Sequence, residues 1–254
     1  FQSSRVLGPT FAGLALAAVG PAWCFFANAA SFLAVIGALY LVKVPPLKPG
    51  KAQSMGRNVV EGLRYVWKDP TIFALLMVAA IPALFGQPYQ PMLPSVVSTV
   101  LHSSATGLGM LESGAGAGAL VGALIVASLA RTRQRGRIQL GMLTLFGVAL
   151  IAFSQSHWMV ASVGLVFVVG LASMAYNSLN QTFLHSLVRD EMRGRVMSLL
   201  TLTTLGLQPV GALQMGTIGQ SFGVSTALLF GGIVCVITSI VGARAKRAKL
   251  DELV

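Results

Sequence analysis

Charge is scarce in this chain of 254 residues, and negative charge most of all: Asp and Glu number 7, and charged residues make up 10% of the sequence. A typical soluble domain carries roughly 25%. That shortage excludes a water-soluble enzyme of this size, as do a hydrophobic content of 55% and a mean hydropathy of +0.77. Cysteine is nearly missing. Cys24 and Cys235 stand far apart in apolar stretches without a C-x-x-C or a His at ligand spacing, so they read as inert, membrane-buried thiols. Histidine is equally thin. His102, His157 and His185 are dispersed, so no paired cluster for a membrane enzyme assembles, and neither cofactor nor metal is expected. What is plentiful is basic charge. Lys and Arg number 18, for a net charge of +11, yet they lie in clusters between apolar runs and lack the aromatic interleaving of a nucleic-acid surface.

A bilayer core about 30 Å thick needs on the order of 20 apolar residues per helix. Eight windows of that kind occur: 6–20, 22–42, 71–97, 107–130, 138–153, 159–179, 196–218 and 225–243. The first two are read as a helical hairpin, because Trp23 suits no leader-cleavage site. If Arg5 is placed inside and the spans alternate, every Lys and Arg falls in the inner segments 1–5, 43–70, 131–137, 185–195 and 244–254, and none falls in the outer turns. This segregation follows the positive-inside rule and puts both ends of the chain on the cytoplasmic face of the inner membrane. The fold expected is therefore all-α and polytopic, with lipid as its first partner and no nucleic acid.

The longest inner segment opens with the stiff Val44-Pro45-Pro46-Leu47-Lys48-Pro49-Gly50. Beyond it, Val59, Val60, Leu63, Val66 and Trp67 recur at helical spacing, with Arg57, Glu61, Arg64 and Lys68 on the other face. The pattern predicts an amphipathic helix along the inner membrane surface, ended by Asp69-Pro70 and anchoring a linker.

Polar residues inside the spans are the candidates for function. Glu112 is the one acidic residue well inside a span, and an intramembrane carboxylate must be protonated, paired or wet. It is the candidate for proton coupling or for a cationic substrate, against a solvent-exposed vestibule residue. The third span carries Pro82, Pro88, Pro91 and Pro94 with Gln87, Tyr89 and Gln90 among them. Helix bonds cannot all form there, so the segment either breaks to line a substrate cavity or ends near Pro88. Asn177, Asn180, Gln181 and His185 form one stripe on the sixth span, facing substrate or bonding neighbouring helices. Gly114, Gly116, Gly118 and Gly122 make a small-residue packing surface in the fourth span, and no P-loop. Asp190, Glu191, Arg193 and Arg195 form a charged inner turn, either a latch or a topological signal.

Leu7-Gly8-Pro9 is echoed about 200 residues later by Leu207-Gln208-Pro209, each followed by spaced glycines and an outer Gly turn. Six spans per repeat would make the first two spans here the end of a first copy, with four helices absent; a start at Phe1 rather than Met agrees. With Leu7-Gly8-Pro9-Thr10-Phe11-Ala12-Gly13, Glu61-Gly62-Leu63-Arg64-Tyr65, Gly107-Leu108-Gly109-Met110-Leu111 and Arg193-Gly194-Arg195-Val196-Met197-Ser198, the chain resembles the exporter branch of the major facilitator superfamily. The resemblance implies helices five to twelve of a twelve-helix fold: residues 1–43 ending the first bundle, 44–70 the cytoplasmic linker, 71–243 the second bundle and 244–254 a tail. It implies Gly8, Pro9 and Gly13 as packing residues of an antiporter motif. Arg131, Arg135 and Arg137 keep the basic turn of the loop between the eighth and ninth helices, without the Asp that precedes it in the fuller motif. The activity implied is monomeric secondary export of a small amphipathic molecule, drug-like or siderophore-like, by proton antiport with alternating access. The alternatives from other classes are a complete eight-span membrane protein and a non-transporting scaffold.

Overall fold

The computed structural model describes Phe26 and residues 28–41, 55–128 and 135–250. The first span, Gly8, Pro9, Gly13, the proline-rich start of the linker and Arg131 lie outside these residues.

Helix follows helix throughout. The order is α1 (Asn28–Leu41), α2 (Met55–Lys68), α3 (Pro70–Phe85), α4 (Tyr89–Thr99), α5 (Ala105–Ser128), α6 (Arg135–Ser154), α7 (Met159–Leu187), α8 (Asp190–Thr201), α9 (Gln208–Phe222) and α10 (Val224–Leu250). Six segments are long and apolar enough to cross a bilayer: Pro70–Thr99, Ala105–Ser128, Gly136–Ser154, Met159–Leu187, Asp190–Phe222 and Val224–Arg244. They coincide with the last six windows read from hydropathy. Short connections make neighbours antiparallel, so the basic residues at 64, 68, 135, 137, 189, 193, 195 and 244 all fall at one end of the bundle. Gly223, at φ +91, makes the one-residue turn between α9 and α10, a backbone conformation that glycine takes without a Cβ penalty.

Water cannot drive helices together inside lipid, so close backbone approach and interhelical hydrogen bonds must. On α5, a Cβ on Gly118 or Gly122 would run into the carbonyls of Phe167 or Leu171 on α7; reciprocally, one on Gly170 of α7 would meet the Ala115 carbonyl. Gly147 of α6 and Gly232 of α10 press on one another in the same manner. Beside them Thr144 Oγ1 and Ser239 Oγ are 2.7 Å apart, and Ser239 donates to the Leu140 carbonyl at 2.7 Å. These contacts seat α7 between α5 and α6, and α10 between α6 and α3.

Two apolar clusters result. The larger is centred on Phe146 of α6, whose ring meets Tyr89 at 6.2 Å and Tyr176 at 5.5 Å. The smaller lies at the basic end and joins Val66 of α2 to Ile72 and Leu76 of α3, Leu184 of α7 and Val196, Leu199 and Leu200 of α8. The amphipathic helix expected over 59–68 is therefore present as α2, but its apolar residues divide. Val66 is buried against the bundle, while Val60, Leu63 and Trp67 point away. Asp69 not only ends α2: its Oδ1 accepts from the Thr71 and Ile72 N–H groups at 2.8 and 3.3 Å, capping α3, whose first residue is Pro70.

Candidate functional site

Both walls of the site are broken helices. In the first wall, Pro82 disturbs α3 and the ladder slips by one residue, so that the N–H groups of Gly86 and Gln87 both reach Pro82 O, at 2.8 and 2.7 Å. Pro88 brings no N–H for Leu84 O, and the chain resumes as α4 at Tyr89. Backbone carbonyls released in this way are tolerated at membrane depth only inside protein or along a cavity. Two glycines meet them: a Cβ on Gly211 of α9 would stand 2.6 Å from Leu84 O and 3.0 Å from Ala83 O, and one on Gly231 of α10 would collide with Phe85 O. At Gly86 itself a Cβ would lie 2.5 Å from the Phe146 ring and 2.7 Å from Cys235 Sγ, so the break is clamped from behind.

The opposite wall breaks at the facing level. A π-turn over Leu202–Gly206 separates α8 from α9. Thr203 and Thr204 turn their hydroxyls back onto the carbonyls of Leu199 and Leu200 at 2.8 and 2.9 Å. Pro209 then falls in the first turn of α9, where no N–H is required of it.

Between the two breaks lies a cleft of about 270 Å³, lined by Gln87, Pro88, Gln90, Pro91, Leu205, Gln208, Pro209 and Ala212. Its composition has a simple origin in the sequence. The chain contains three Gln-Pro dipeptides, 87–88, 90–91 and 208–209, and all three line this cleft. The prolines interrupt the helices, and the preceding side chains put three carboxamides, each donor and acceptor, onto an otherwise apolar wall. None of the lining residues carries a charge. Gln87 is held in place, its Nε2 donating at 3.0 Å to Tyr176 Oη, whose ring is buried beside Phe146.

The other sequence candidates fall elsewhere. Tyr89 is buried in the core against Phe146, not in the lining of the cleft. The stripe on α7 divides: Asn180 is buried and accepts from Gln139 Nε2 of α6 at 2.8 Å, Asn177 is half-buried, and Gln181 and His185 are exposed. Glu112 is exposed on α5, two turns in from Ala105. In the charged turn, Asp190 pairs with Arg193 at 2.6 Å, while Arg195 leaves it to meet Glu61 of α2 at 2.7 Å. Arg135 opens α6, and Arg137 is exposed at that helix's first turn. Among the described residues, no group of three or more His, Cys, Asp or Glu is placed to hold a metal. Gln208, Tyr176 and Gln139 are additions that the sequence reading passed over. A glutamine directly before a mid-span proline was the available signal for Gln208; a lone Tyr or Gln in an apolar run gave none for the other two.

Six apolar spans tied by glycine contacts, with two of them broken around an uncharged cleft, are the architecture of a polytopic helical membrane protein. The sequence profile described as transmembrane secretion effector, within the major facilitator superfamily, matches residues 1–253, and the chain belongs to that family. Among curated relatives it is similar to the "Multidrug efflux pump Tap" of Mycobacterium bovis, 26% identical over 94% of this chain and 58% of that protein. The Mycolicibacterium fortuitum protein of the same name is 25% identical over 100% and 63%. The "Enterobactin exporter EntS" of Shigella flexneri is 27% identical over 84% and 50%. The chain thus spans between half and about two thirds of the length of these relatives.

Proposed function

We propose that this chain supplies the second bundle and the linker of a twelve-helix exporter that moves a small amphipathic molecule, drug-like or siderophore-like, out across the cytoplasmic membrane. In this reading residues 71–243 are the second bundle, 44–70 the cytoplasmic linker, 1–43 the end of the first bundle and 244–254 a cytoplasmic tail, in a monomer. The observation that carries it is the cleft in which all three Gln-Pro dipeptides meet. Broken helices at mid-membrane are a recurrent way of building transport sites, because they bring backbone and amide groups to a substrate without a buried charge. Carboxamides on an apolar wall suit molecules that combine rings or chains with scattered oxygens and nitrogens. The named relatives, a multidrug pump and an enterobactin exporter, agree with that class of cargo. Alternating access would act on the same breaks, with α8 and α9 moving as separate pieces about the π-turn, and protons would drive it through Glu112.

The experiment is to replace Gln90 and Gln208 together by Ala in the full-length transporter and to follow accumulation of a drug and siderophore panel in cells. Loss of export with unchanged thermal unfolding of the purified protein is the expected result. Unchanged accumulation across the panel would remove the cleft as the substrate site.

A further inference from the structure

The outward face of α2 is the part of the molecule left unexplained by the cleft. Its inward face is occupied: Val66 is buried against α3 and α8, Gly62 approaches Leu199 and Arg195, and Glu61 pairs with Arg195. On the opposite face Val60, Leu63 and Trp67 recur at i, i+3 and i+7, with 64%, 48% and 70% of their surface exposed. Beside this apolar stripe run Arg64 and Lys68, both exposed and without an ion pair among the described residues. The nearby carboxylates are engaged elsewhere, Glu61 with Arg195 and Asp69 with the first N–H groups of α3.

The depth of this face is set by its neighbour. One residue separates α2 from the membrane span that begins at Pro70, and the Trp67 ring lies 5.5 Å from that of Phe73, in the first turn of the span. Trp67 therefore sits where a span leaves the hydrocarbon, the depth at which tryptophan is favoured. An apolar stripe flanked by cations at that depth has one complementary surface, acyl chains beneath phosphate groups.

We infer that α2 is a binding element for anionic phospholipid, with Val60, Leu63 and Trp67 in the acyl boundary and Arg64 and Lys68 on the headgroup phosphates of the same leaflet. Zwitterionic lipid satisfies the apolar stripe alone; the two unpaired cations select net negative headgroups. Since α2 is fastened to α8 through Glu61 and Arg195, lipid held on one side of α2 is mechanically joined to the lower half of the broken span. Export activity is not needed for any of this, so the inference stands or falls apart from the transport reading.

The test uses the full-length protein with every tryptophan other than Trp67 replaced by Phe, Trp23 and Trp158 among them, in nanodiscs mixing phosphatidylcholine and phosphatidylglycerol, one of them brominated at a time. Brominated phosphatidylglycerol should quench Trp67 more than brominated phosphatidylcholine at equal mole fraction. The enrichment should be on the order of five-fold for each basic residue at low salt, declining as salt screens the charges. The R64Q/K68Q variant should quench equally with both lipids, and R64K/K68R should retain the preference. Equal quenching in the unaltered stripe, or a preference that survives R64Q/K68Q, would overturn the assignment.

Discussion

Glu61 Oε2 and Arg195 Nη1 meet at 2.7 Å and thereby tie helix α2 to the base of α8, below the point where that span breaks. Neither group is fully buried, so the pair is worth far less than a desolvated one; about 1 kcal/mol is the expected coupling. A double-mutant cycle with E61Q and R195Q, read by thermal unfolding in detergent, should return a coupling of that size. The exchanged pair E61R/R195E should recover most of it. Additive single losses would mean that the contact contributes nothing of its own.

Glycines on the same helix are predicted to behave oppositely. Gly118 is pressed against the Phe167 carbonyl, while at Gly109 a Cβ would meet nothing within 4 Å. G118A should therefore force α5 away from α7 and destabilise the bundle by about 1–3 kcal/mol. G109A should be neutral or stabilise by up to about 1 kcal/mol through the better helix propensity of Ala. Unfolding curves of the two variants side by side decide the matter, and equal effects would contradict the close approach.

The last six spans were legible because each is a long apolar run bounded by charge or a turn, and the lipid solvent enforces that pattern more strictly than water does. Gly114, Gly118 and Gly122 were legible as a packing surface for the same reason: within lipid, small residues have few other uses. Pro88 showed that a break or an end was due, but not which; the choice depended on Phe146 and Gly211, distant in sequence, which pack around the break and allow α4 to continue. The α7 stripe was read as one face, yet Asn180 turns inward because Gln139 is there to receive it, and Gln181 does not. Partnerships between residues far apart in the chain, such as Gln87 with Tyr176 or Glu61 with Arg195, leave no local trace in either segment.

Gln139 and Asn180 are both buried, and each is the other's observed partner. Removing one carboxamide leaves its mate in an apolar setting, which costs about 1–3 kcal/mol. Removing both is less harmful than removing one. Q139L and N180L should each lower the unfolding temperature, and the double variant should stand above the worse single. A double variant equal to the sum of the two losses would show that the amides act independently.

Glu112, exposed on α5, is the residue proposed above for the driving step. A carboxylate couples a proton to transport only through the difference between its protonated and ionised forms. For that to drive transport, its two charge states must favour different arrangements of the bundles. E112Q fixes one of them, since the amide resembles the protonated acid in shape and charge. Export driven by an imposed pH gradient should then be abolished, while binding of substrate in the uncharged cleft, measured by equilibrium dialysis, stays within about two-fold, well under the 1.4 kcal/mol of a tenfold change. The joint outcome separates coupling from recognition: a variant that still exports along the gradient sinks the coupling role, and one that loses binding moves Glu112 from the driving step to the substrate.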